Sequence, residues 1–263
     1  MTHTVQQLFD LTGKTALITG GSRGLGLQMA HALGEAGARI MVSARKSDEL
    51  EHAVQQLQAA GIDARWEAAD CGQEDDINRL VSETTQRMGD IDILINNAGA
   101  SWGAPAEEHP TAAWDKVMNV NVRGYFLLSK AVANACMIGR KSGAIINIAS
   151  IAGLGGNPTD MKTIAYNTSK GAVITFTQAL AAEWGPYGIR VNAICPGFFH
   201  TKLANGLIEQ LGEDRMAAGA PLRRLGDDED LKGIALLYSS AAGKHITGQW
   251  MAVDGGVSAV TAG

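Results

Sequence analysis

Tyr166 and Lys170 are the residues whose types and spacing most directly predict chemistry. They stand four apart in a segment of helical periodicity, so their side chains share one helix face about a turn apart. A free tyrosine has a pKa of about 10 and is a poor acid or base at neutral pH, but a nearby ammonium favours the phenolate. The pair predicts a general acid–base centre, with two solvated residues on a surface helix as the alternative.

Ser150 follows the apolar segment Ile145–Ala149, which is typical of a buried strand. Open α/β sheets bind ligands at the carboxyl ends of their strands. The Ser150 hydroxyl is therefore a candidate contact for a substrate oxygen, and a loop-forming serine is the alternative.

A glycine-rich turn lies between the first predicted strand and the first predicted helix, at residues 19–26. Gly20 would allow a sharp turn, Gly24 the close approach of a pyrophosphate, and Gly26 tight packing of the helix on the sheet. The position favours a dinucleotide site over an ordinary tight turn. The candidate cofactor-binding residues of this turn are Gly20, Ser22, Arg23, Gly24, Leu25 and Gly26.

The end of the second predicted strand, residues 43–46, lacks the carboxylate that NAD sites offer to the adenosine ribose. A 2′-phosphate requires cations instead, and Arg45 together with Arg23 and Ser22 would supply them. The sequence therefore predicts NADP(H), whereas the alternative is that Arg45 and Lys46 only solvate a loop.

Short apolar segments alternate with longer segments of helical period along the whole chain. Strands are predicted at residues 16–18, 39–43, 64–68, 91–95, 144–148, 190–194 and 250–253, and helices at 25–36, 48–60, 74–88, 111–137 and 165–184. This order predicts an α/β fold, a doubly wound parallel sheet (Rossmann-like) with helices on both faces. A (β/α)₈ barrel competes, but the glycine turn disfavours it. No linker interrupts residues 1–263, so we expect a single domain.

Several motifs together resemble the short-chain dehydrogenase/reductase family, over residues 14–257. The residues that carry the resemblance, in chain order, are Thr19–Gly26, Asn96–Gly99, Asn119–Asn121, Ser150, Tyr166 with Lys170, Pro196–Gly197 with Thr201, and Val253–Gly256. The resemblance implies a nicotinamide-dependent oxidoreductase that interconverts a ketone and a secondary alcohol.

The resemblance also implies a role for each catalytic candidate. Tyr166 would be the general acid–base, and Lys170 would hold the nicotinamide ribose and lower the pKa of the tyrosine. Ser150 would hydrogen-bond the substrate oxygen, and Asn121 would anchor a water that links Lys170 to solvent.

The remaining implied roles concern the cofactor. Asp70 would contact the adenine amino group, and Asn97 would line the adenosine side. Pro196, Gly197 and Thr201 would hold the nicotinamide carboxamide.

The substrate is the feature that the sequence determines least. The segment Ile151–Ala165 is a few residues longer than is usual in the family, and residues 198–219 are expected to form a lid. The approach to the last helix, residues 220–226, is similar to the branch with 3-oxoacyl-carrier-protein reductases and gluconate 5-dehydrogenases. A 3-oxoacyl or related carbonyl reductase is the leading hypothesis. The alternatives are a sugar-acid dehydrogenase and a non-catalytic nicotinamide-sensing protein.

Composition excludes other classes of function. The 263 residues include 22 lysines and arginines against 27 aspartates and glutamates, for a net charge of −5, so no nucleic-acid or anionic-membrane partner is expected. The 3 cysteines and 6 histidines show no metal-ligand spacing. With no apolar run of transmembrane length, we expect a cytoplasmic protein.

Self-association is expected to give a homotetramer, as the resemblance implies. The predicted helices 111–137 and 165–184 carry small or apolar residues on more than one face, as at Val132–Ala133 and Ala179–Ala182. Good helix formers on a solvated surface are the alternative.

Overall fold

A computed structural model of the protein describes residues 2–260. Its centre is a parallel sheet with the strand order β3-β2-β1-β4-β5-β6-β7. The strands are β1 Thr15–Thr19, β2 Arg39–Ala44, β3 Ala64–Ala68, β4 Ile93–Asn96, β5 Gly143–Ile148, β6 Ile189–Pro196 and β7 Trp250–Val253. The predicted fold class is confirmed.

The helices of the described residues cover both faces of the sheet. They are α1 Val5–Phe9, α2 Gly24–Glu35, α3 Ser47–Ala59, α4 Glu74–Met88, α5 Thr111–Met118, α6 Gly124–Val132, α7 Ile164–Trp184, α8 Asn205–Leu211, α9 Glu213–Gly219 and α10 Lys232–Ser239. The apolar strands alternate their side chains between two cores. Ile18 packs with α2, α3 and α10, whereas Leu17 packs with α4, α6 and α7.

The predicted helix 111–137 is continuous but not uniform. A π-helical turn, Asn119–Arg123, separates α5 from α6, and a second one, Ala133–Met137, follows α6. A π-helical turn accommodates one extra residue within a helix, and such turns are frequent at functional sites. The first of them contains Asn121, which is completely buried.

Two predicted strand boundaries differ from the structure by two residues, and the others differ by at most one. The fourth strand begins at Ile93 instead of residue 91, and the Asp92 carboxylate just before it accepts a hydrogen bond from the Thr15 amide at 3.0 Å. The sixth strand extends to Pro196, because its end pairs with β7. None of the helices within residues 2–260 has the length and apolar character needed to span a membrane.

The order of the strands determines where a ligand can bind. From β1 the chain winds through β2 and β3 to one edge, and from β4 through β5 and β6 to the other. The loops after β1 and β4 therefore diverge at the centre of the carboxyl edge and leave a crevice there.

Candidate active site

A cavity of about 1210 Å³ occupies the carboxyl edge of the sheet. The segments that follow β1 to β6 all line it. It contains all the predicted catalytic side chains except Asn121, which lies behind its wall, and most of the predicted cofactor residues, namely Gly20, Ser22, Arg23, Gly24, Leu25, Arg45, Asp70, Asn97, Pro196, Gly197 and Thr201. The fold thus brings together residues that are up to 181 positions apart in the chain, from Gly20 to Thr201.

The glycine turn is fixed by close backbone contacts. Gly20 and Gly24 have φ values of +62° and +52°, in the left-handed region that favours glycine. A Cβ at Gly26 would lie 2.3 Å from the carbonyl oxygen of Gly20, so no larger residue fits between helix α2 and the turn. The Asn97 amide donates to the carbonyl oxygens of Thr19 and Gly20 at 2.9 and 3.1 Å. Asn97 therefore shapes the turn in addition to lining the cavity.

One end of the cavity is rich in cations. Arg23, Arg45 and Lys46 line it together with the carboxylate of Glu49. Arg23 donates a hydrogen bond to Glu49, and the Lys46 Nζ lies 3.3 Å from the same carboxylate. Within residues 2–260 the Arg45 guanidinium has no hydrogen-bond or ion-pair partner, and it is exposed. Arg45 is thus available to bind an anion.

Asp70 lies at the same end, in the turn after β3. Its Oδ1 accepts a hydrogen bond from the Gly72 amide at 2.9 Å, while its own amide donates to Asp76 at 2.8 Å. These bonds hold the turn in place and leave Asp70 against the cavity. Its position is compatible with the predicted contact to adenine.

Tyr166, Lys170 and Ser150 meet at the centre of the cavity. The Lys170 Nζ lies 5.6 Å from the centroid of the Tyr166 ring and donates to the Ile148 carbonyl oxygen at 2.6 Å. Ser150 follows β5, and its Oγ accepts a hydrogen bond from the Ala152 amide at 3.1 Å. Strand β5 and helix α7 thus position the phenol, the ammonium and the hydroxyl independently.

The two titratable groups of this centre respond mainly to burial. Burial lowers the pKa of Lys170 to about 7, because a charged ammonium is disfavoured away from water. Burial also raises the pKa of Tyr166, and interaction with the Ser150 side chain opposes that rise. The sequence-based expectation of a lowered tyrosine pKa is therefore wrong for this structure. Desolvation of the phenolate is the largest influence on this pKa, and the Ser150 side chain, not Lys170, opposes it.

Asn121 lies behind the catalytic centre and makes direct contacts to protein groups. Its Nδ2 donates to the Ala100 carbonyl oxygen and to the Ser169 Oγ, each at 2.9 Å, and its Oδ1 accepts from the Ala100 amide at 2.8 Å. The side chain thus connects the π-helical turn to the loop after β4 and to helix α7. Both Nδ2 hydrogens and one acceptor position of Oδ1 are used in holding these elements, and the water contact implied by the resemblance stays a prediction.

The end of β6 forms the opposite wall. A Cβ at Gly197 would lie 2.7 Å from the Asp254 Cα, so the backbone passes closely behind the cavity. A Cβ at Gly24 would lie 3.4 Å from the Thr201 Cγ2, which places the beginning of the predicted lid against the glycine turn. Pro196 is the last residue of β6.

The cavity fits a dinucleotide. The glycine turn offers a backbone cradle that a Cβ would fill, the start of α2 points its amides toward it, and cations stand at the end where a 2′-phosphate would be recognised.

Known proteins are similar over nearly the whole chain. The family model described as short chain dehydrogenase matches residues 14–212. The chain belongs to the short chain dehydrogenase family. Gluconate 5-dehydrogenase from Gluconobacter oxydans is 36% identical over 95% of this chain and 97% of that protein. A 3-oxoacyl-[acyl-carrier-protein] reductase from Staphylococcus epidermidis is 35% identical over 93% and 98%.

A solved structure extends the comparison to three dimensions. Gluconate 5-dehydrogenase from Burkholderia cenocepacia J2315, in complex with NADP and tartrate, has a TM-score of 0.92 at 34% identity, covering 98% of this short chain dehydrogenase and 100% of that chain. The predicted family and the predicted oxidoreductase class are confirmed.

Some residues at the site of this short chain dehydrogenase cannot be identified from the sequence. Glu49 stands in the cation-rich end although nothing in the motifs marks it. Tyr125 is another such residue: its ring centroid lies 5.4 Å from the Lys170 Nζ, but in the sequence it is one of two adjacent aromatics in an apolar helix. Neither has a motif of its own, and only the packing of separate elements brings them to the site.

Proposed function

We propose that the protein is an NADP(H)-dependent carbonyl reductase whose substrate is a 3-oxoacyl compound or a similarly apolar ketone. The observation that carries the substrate class is the wall of the cavity beyond Tyr166. That wall is mainly apolar, formed by Trp102, Leu154, Met161, Leu203, Leu207, Leu211 and Met216. Two of its charged side chains, Asp160 and Arg215, pair with each other at 2.8 Å. An apolar acyl chain suits these surroundings better than a polyhydroxylated acid does.

NADP(H) is supported by two observations. Arg23, Arg45 and Lys46 supply positive charge at one end of the cavity. The related gluconate 5-dehydrogenase from Burkholderia cenocepacia was solved with NADP. Glycine-turn residues Gly20–Gly26 would hold the pyrophosphate, and Asp70 and Asn97 the adenosine. Pro196, Gly197 and Thr201 would hold the nicotinamide end.

The chemistry divides between cofactor and protein. When bound, the nicotinamide supplies the hydride. Tyr166 donates a proton to the developing alkoxide, and its raised pKa keeps the phenol protonated at neutral pH. Ser150 donates a second hydrogen bond to the same oxygen. Lys170 holds the ribose from a fixed position, since the Ile148 carbonyl oxygen orients its ammonium. Asn121 holds the π-helical turn and the loop after β4 together behind Lys170.

The substrate proposal is tested with the purified protein and NADPH. We expect kcat/KM for 3-oxoacyl thioesters and β-keto esters to exceed that for keto sugar acids by at least about tenfold, since each buried methylene contributes about 0.8 kcal/mol. NADPH oxidation at 340 nm would be followed across a series of increasing acyl length. A higher kcat/KM for keto sugar acids, or no dependence on chain length, contradicts the proposal.

A sugar-acid dehydrogenase is the second candidate. Relatives with that name match nearly the whole chain, and Lys202, an exposed cation at the cavity, would be available to a carboxylate. A non-catalytic sensor is disfavoured, because such a protein is expected to lack Ser150, Tyr166 or Lys170.

Arg45→Asp is expected to raise the Kd for NADPH at least about tenfold relative to that for NADH. A charge-assisted contact is worth about 1.5 to 3 kcal/mol, and the new carboxylate repels a 2′-phosphate. Titration by cofactor fluorescence measures both constants. Lys244→Asp, which makes the same charge change at an exposed residue outside the cavity, is the control. An unchanged ratio of the two constants would remove Arg45 from the phosphate site.

We also propose a homotetramer in the cytoplasm, built from a single domain of residues 1–263 with a lid at 198–219. Residues 1 and 261–263 of that domain lie outside the described residues. Val132 and Ala133 do not support assembly, because both are buried inside the subunit. Better support comes from Phe126, which is 48% exposed, and from Trp250 and Met251 on the edge strand β7, which are 43% and 46% exposed.

Activity is expected to fall with dilution if this assembly supports the site. Burial of the exposed apolar side chains against symmetry mates would stabilise the elements that carry Tyr166 and Lys170. Light scattering and specific activity measured on the same dilution series would report both quantities. A fully active monomer at micromolar concentration would contradict the assembly and its link to activity.

A further inference from the structure

Glu49 is an acidic side chain in the part of the cavity where cations are expected. It lies in the first turn of α3, and its side chain is 24% exposed. Arg23, from the turn before α2, donates a hydrogen bond to its carboxylate, and Lys46 approaches the Oε1 at 3.3 Å. The hydrogen bond from Arg23 lowers the pKa of Glu49, so the carboxylate is charged at neutral pH. Two of the cations at this end are thus already paired.

The third cation differs. Arg45 precedes Lys46 directly, lines the same end of the cavity, and has no side-chain partner in the part of the chain that the structure describes. An anion that enters would meet one free guanidinium and two groups neutralised by a protein carboxylate. The positive charge that attracts an anion to this end of the cavity is therefore only partly available before the anion binds.

We propose that Glu49 determines cofactor selectivity by acting as an internal competitor: its carboxylate occupies Arg23 and Lys46 where the 2′-phosphate of NADP(H) would bind. This inference rests on the proposed NADP(H) function and adds a residue to it. Binding of NADPH then exchanges one anion for another on Arg23 and Lys46, whereas NADH, which lacks the 2′-phosphate, can leave both ion pairs intact. Glu49 thus lowers the affinity for NADPH and keeps the preference for NADPH over NADH moderate.

The charges favour competition over simple support. A phosphate that reaches Arg23 and Lys46 also comes close to the Glu49 carboxylate. The two negative charges then repel each other. Glu49 has an additional favourable interaction as an acid in the first turn of a helix, but Asp48 provides the same charge in that turn. Loss of Glu49 therefore leaves the start of α3 with an acidic residue.

The experiment measures cofactor binding without turnover. Purified wild-type protein and the variant Glu49→Gln would be titrated with NADPH and with NADH, and the Kd values obtained from cofactor fluorescence. We expect the variant to bind NADPH about five- to tenfold more tightly, where tenfold corresponds to about 1.4 kcal/mol. The Kd for NADH should change less than about twofold. Adenosine 2′,5′-bisphosphate, which carries the same phosphate, should gain affinity in parallel.

Glu51→Gln is the matched control. It removes the same charge from the same helix, but Glu51 is exposed and does not line the cavity. Equal tightening in both variants would indicate a long-range effect of net charge and would overturn the proposal. An unchanged or weaker affinity of Glu49→Gln for NADPH would overturn it too, since Glu49 would then only hold Arg23 in place. Thermal unfolding of each variant verifies that it is folded.

Failure of the proposed NADP(H) function is recognised separately. Tighter binding of NADH than of NADPH by the wild-type protein would contradict the NADP(H) preference. Glu49→Gln could still tighten NADPH binding in that case, and the competition would remain supported. The ratio of the two Kd values, for NADH and for NADPH, of the wild-type protein therefore tests the proposed function. The change in the Kd for NADPH between wild type and Glu49→Gln tests the role of Glu49.

Discussion

Replacement of Tyr166 by phenylalanine is expected to lower kcat by about 10²- to 10⁴-fold, the range typical of lost general acid catalysis. The change removes the phenolic oxygen and preserves the ring, so the half-buried side chain still fills its place beside Lys170. The Kd for NADPH should change by less than about threefold, because the variant keeps the whole ribose contact of the lysine. Stopped-flow reduction of a β-keto ester and fluorescence titration measure the two effects.

The pH dependence of the wild-type enzyme provides an independent check on Tyr166. Burial raises the pKa of Tyr166, so the phenol remains protonated and able to donate through neutral pH. The fall in ketone reduction that reports Tyr166 should therefore lie at alkaline pH, where alcohol oxidation should rise, and it should be separate from the titration of Lys170 near pH 7. Tyr187→Phe, at an exposed tyrosine after α7, should leave both profiles unchanged. A rate above a few per cent of wild type in Tyr166→Phe would assign the acid to another residue.

Replacement of Lys170 by alanine is expected to lower kcat at least about 100-fold and to raise the Kd for NADPH as well. One ammonium would serve both the ribose and the electrostatics of the phenol, so its loss affects binding and chemistry together. The variant also removes one of the two side-chain donors to the Ile148 carbonyl oxygen, leaving the Tyr125 hydroxyl, and creates a cavity. Lys170→Met preserves the packing of the stem, and it should show the same loss of rate. A variant that loses affinity but retains its rate would restrict Lys170 to cofactor binding.

The pH dependence of the free energy of unfolding, measured on the cofactor-free protein, should also report the burial of Lys170. Its pKa is about 7 in the folded state and 10.5 for an unperturbed lysine, so the unfolded chain binds more protons between these values. The free energy of unfolding therefore rises with pH across that window and loses this contribution as the pH falls toward 7. Denaturant unfolding of Lys170→Met should show a shallower rise over the same range.

Much of the fold is predictable because the central strands must be apolar on both faces. Leu17 and Ile18 are adjacent in β1 and enter opposite cores, a requirement that produces continuous apolar segments in the sequence. The strand ends and the glycine turn then place Ser150 and Gly20 at one edge of the sheet. The positions of the main site residues follow from that pattern and from the family resemblance.

The properties that depend on contacts between distant elements could not be predicted. The pairing of Arg23 with Glu49 depends on how α2 and α3 begin side by side, and no motif records that arrangement. The direction of the Tyr166 pKa shift depends on how thoroughly the surrounding segments exclude water. The spacing of charges within one helix predicts whether a single pair attracts or repels. The pKa shift caused by burial depends instead on all the segments that surround the site.

The π-helical turn around Asn121 constrains how the chain can change in length. One extra residue in a helix rotates everything beyond it by about 100°, since an α-helix has about 3.6 residues per turn. A deletion that restored a regular helix would turn the Asn121 amide away from Ala100 or would turn the buried face of α6 away from the sheet. The Asn121 contacts and the buried face of α6 can both remain in place only if the extra residue is kept. Natural variation in length should therefore accumulate in loops such as residues 155–163, and should avoid residues 119–123.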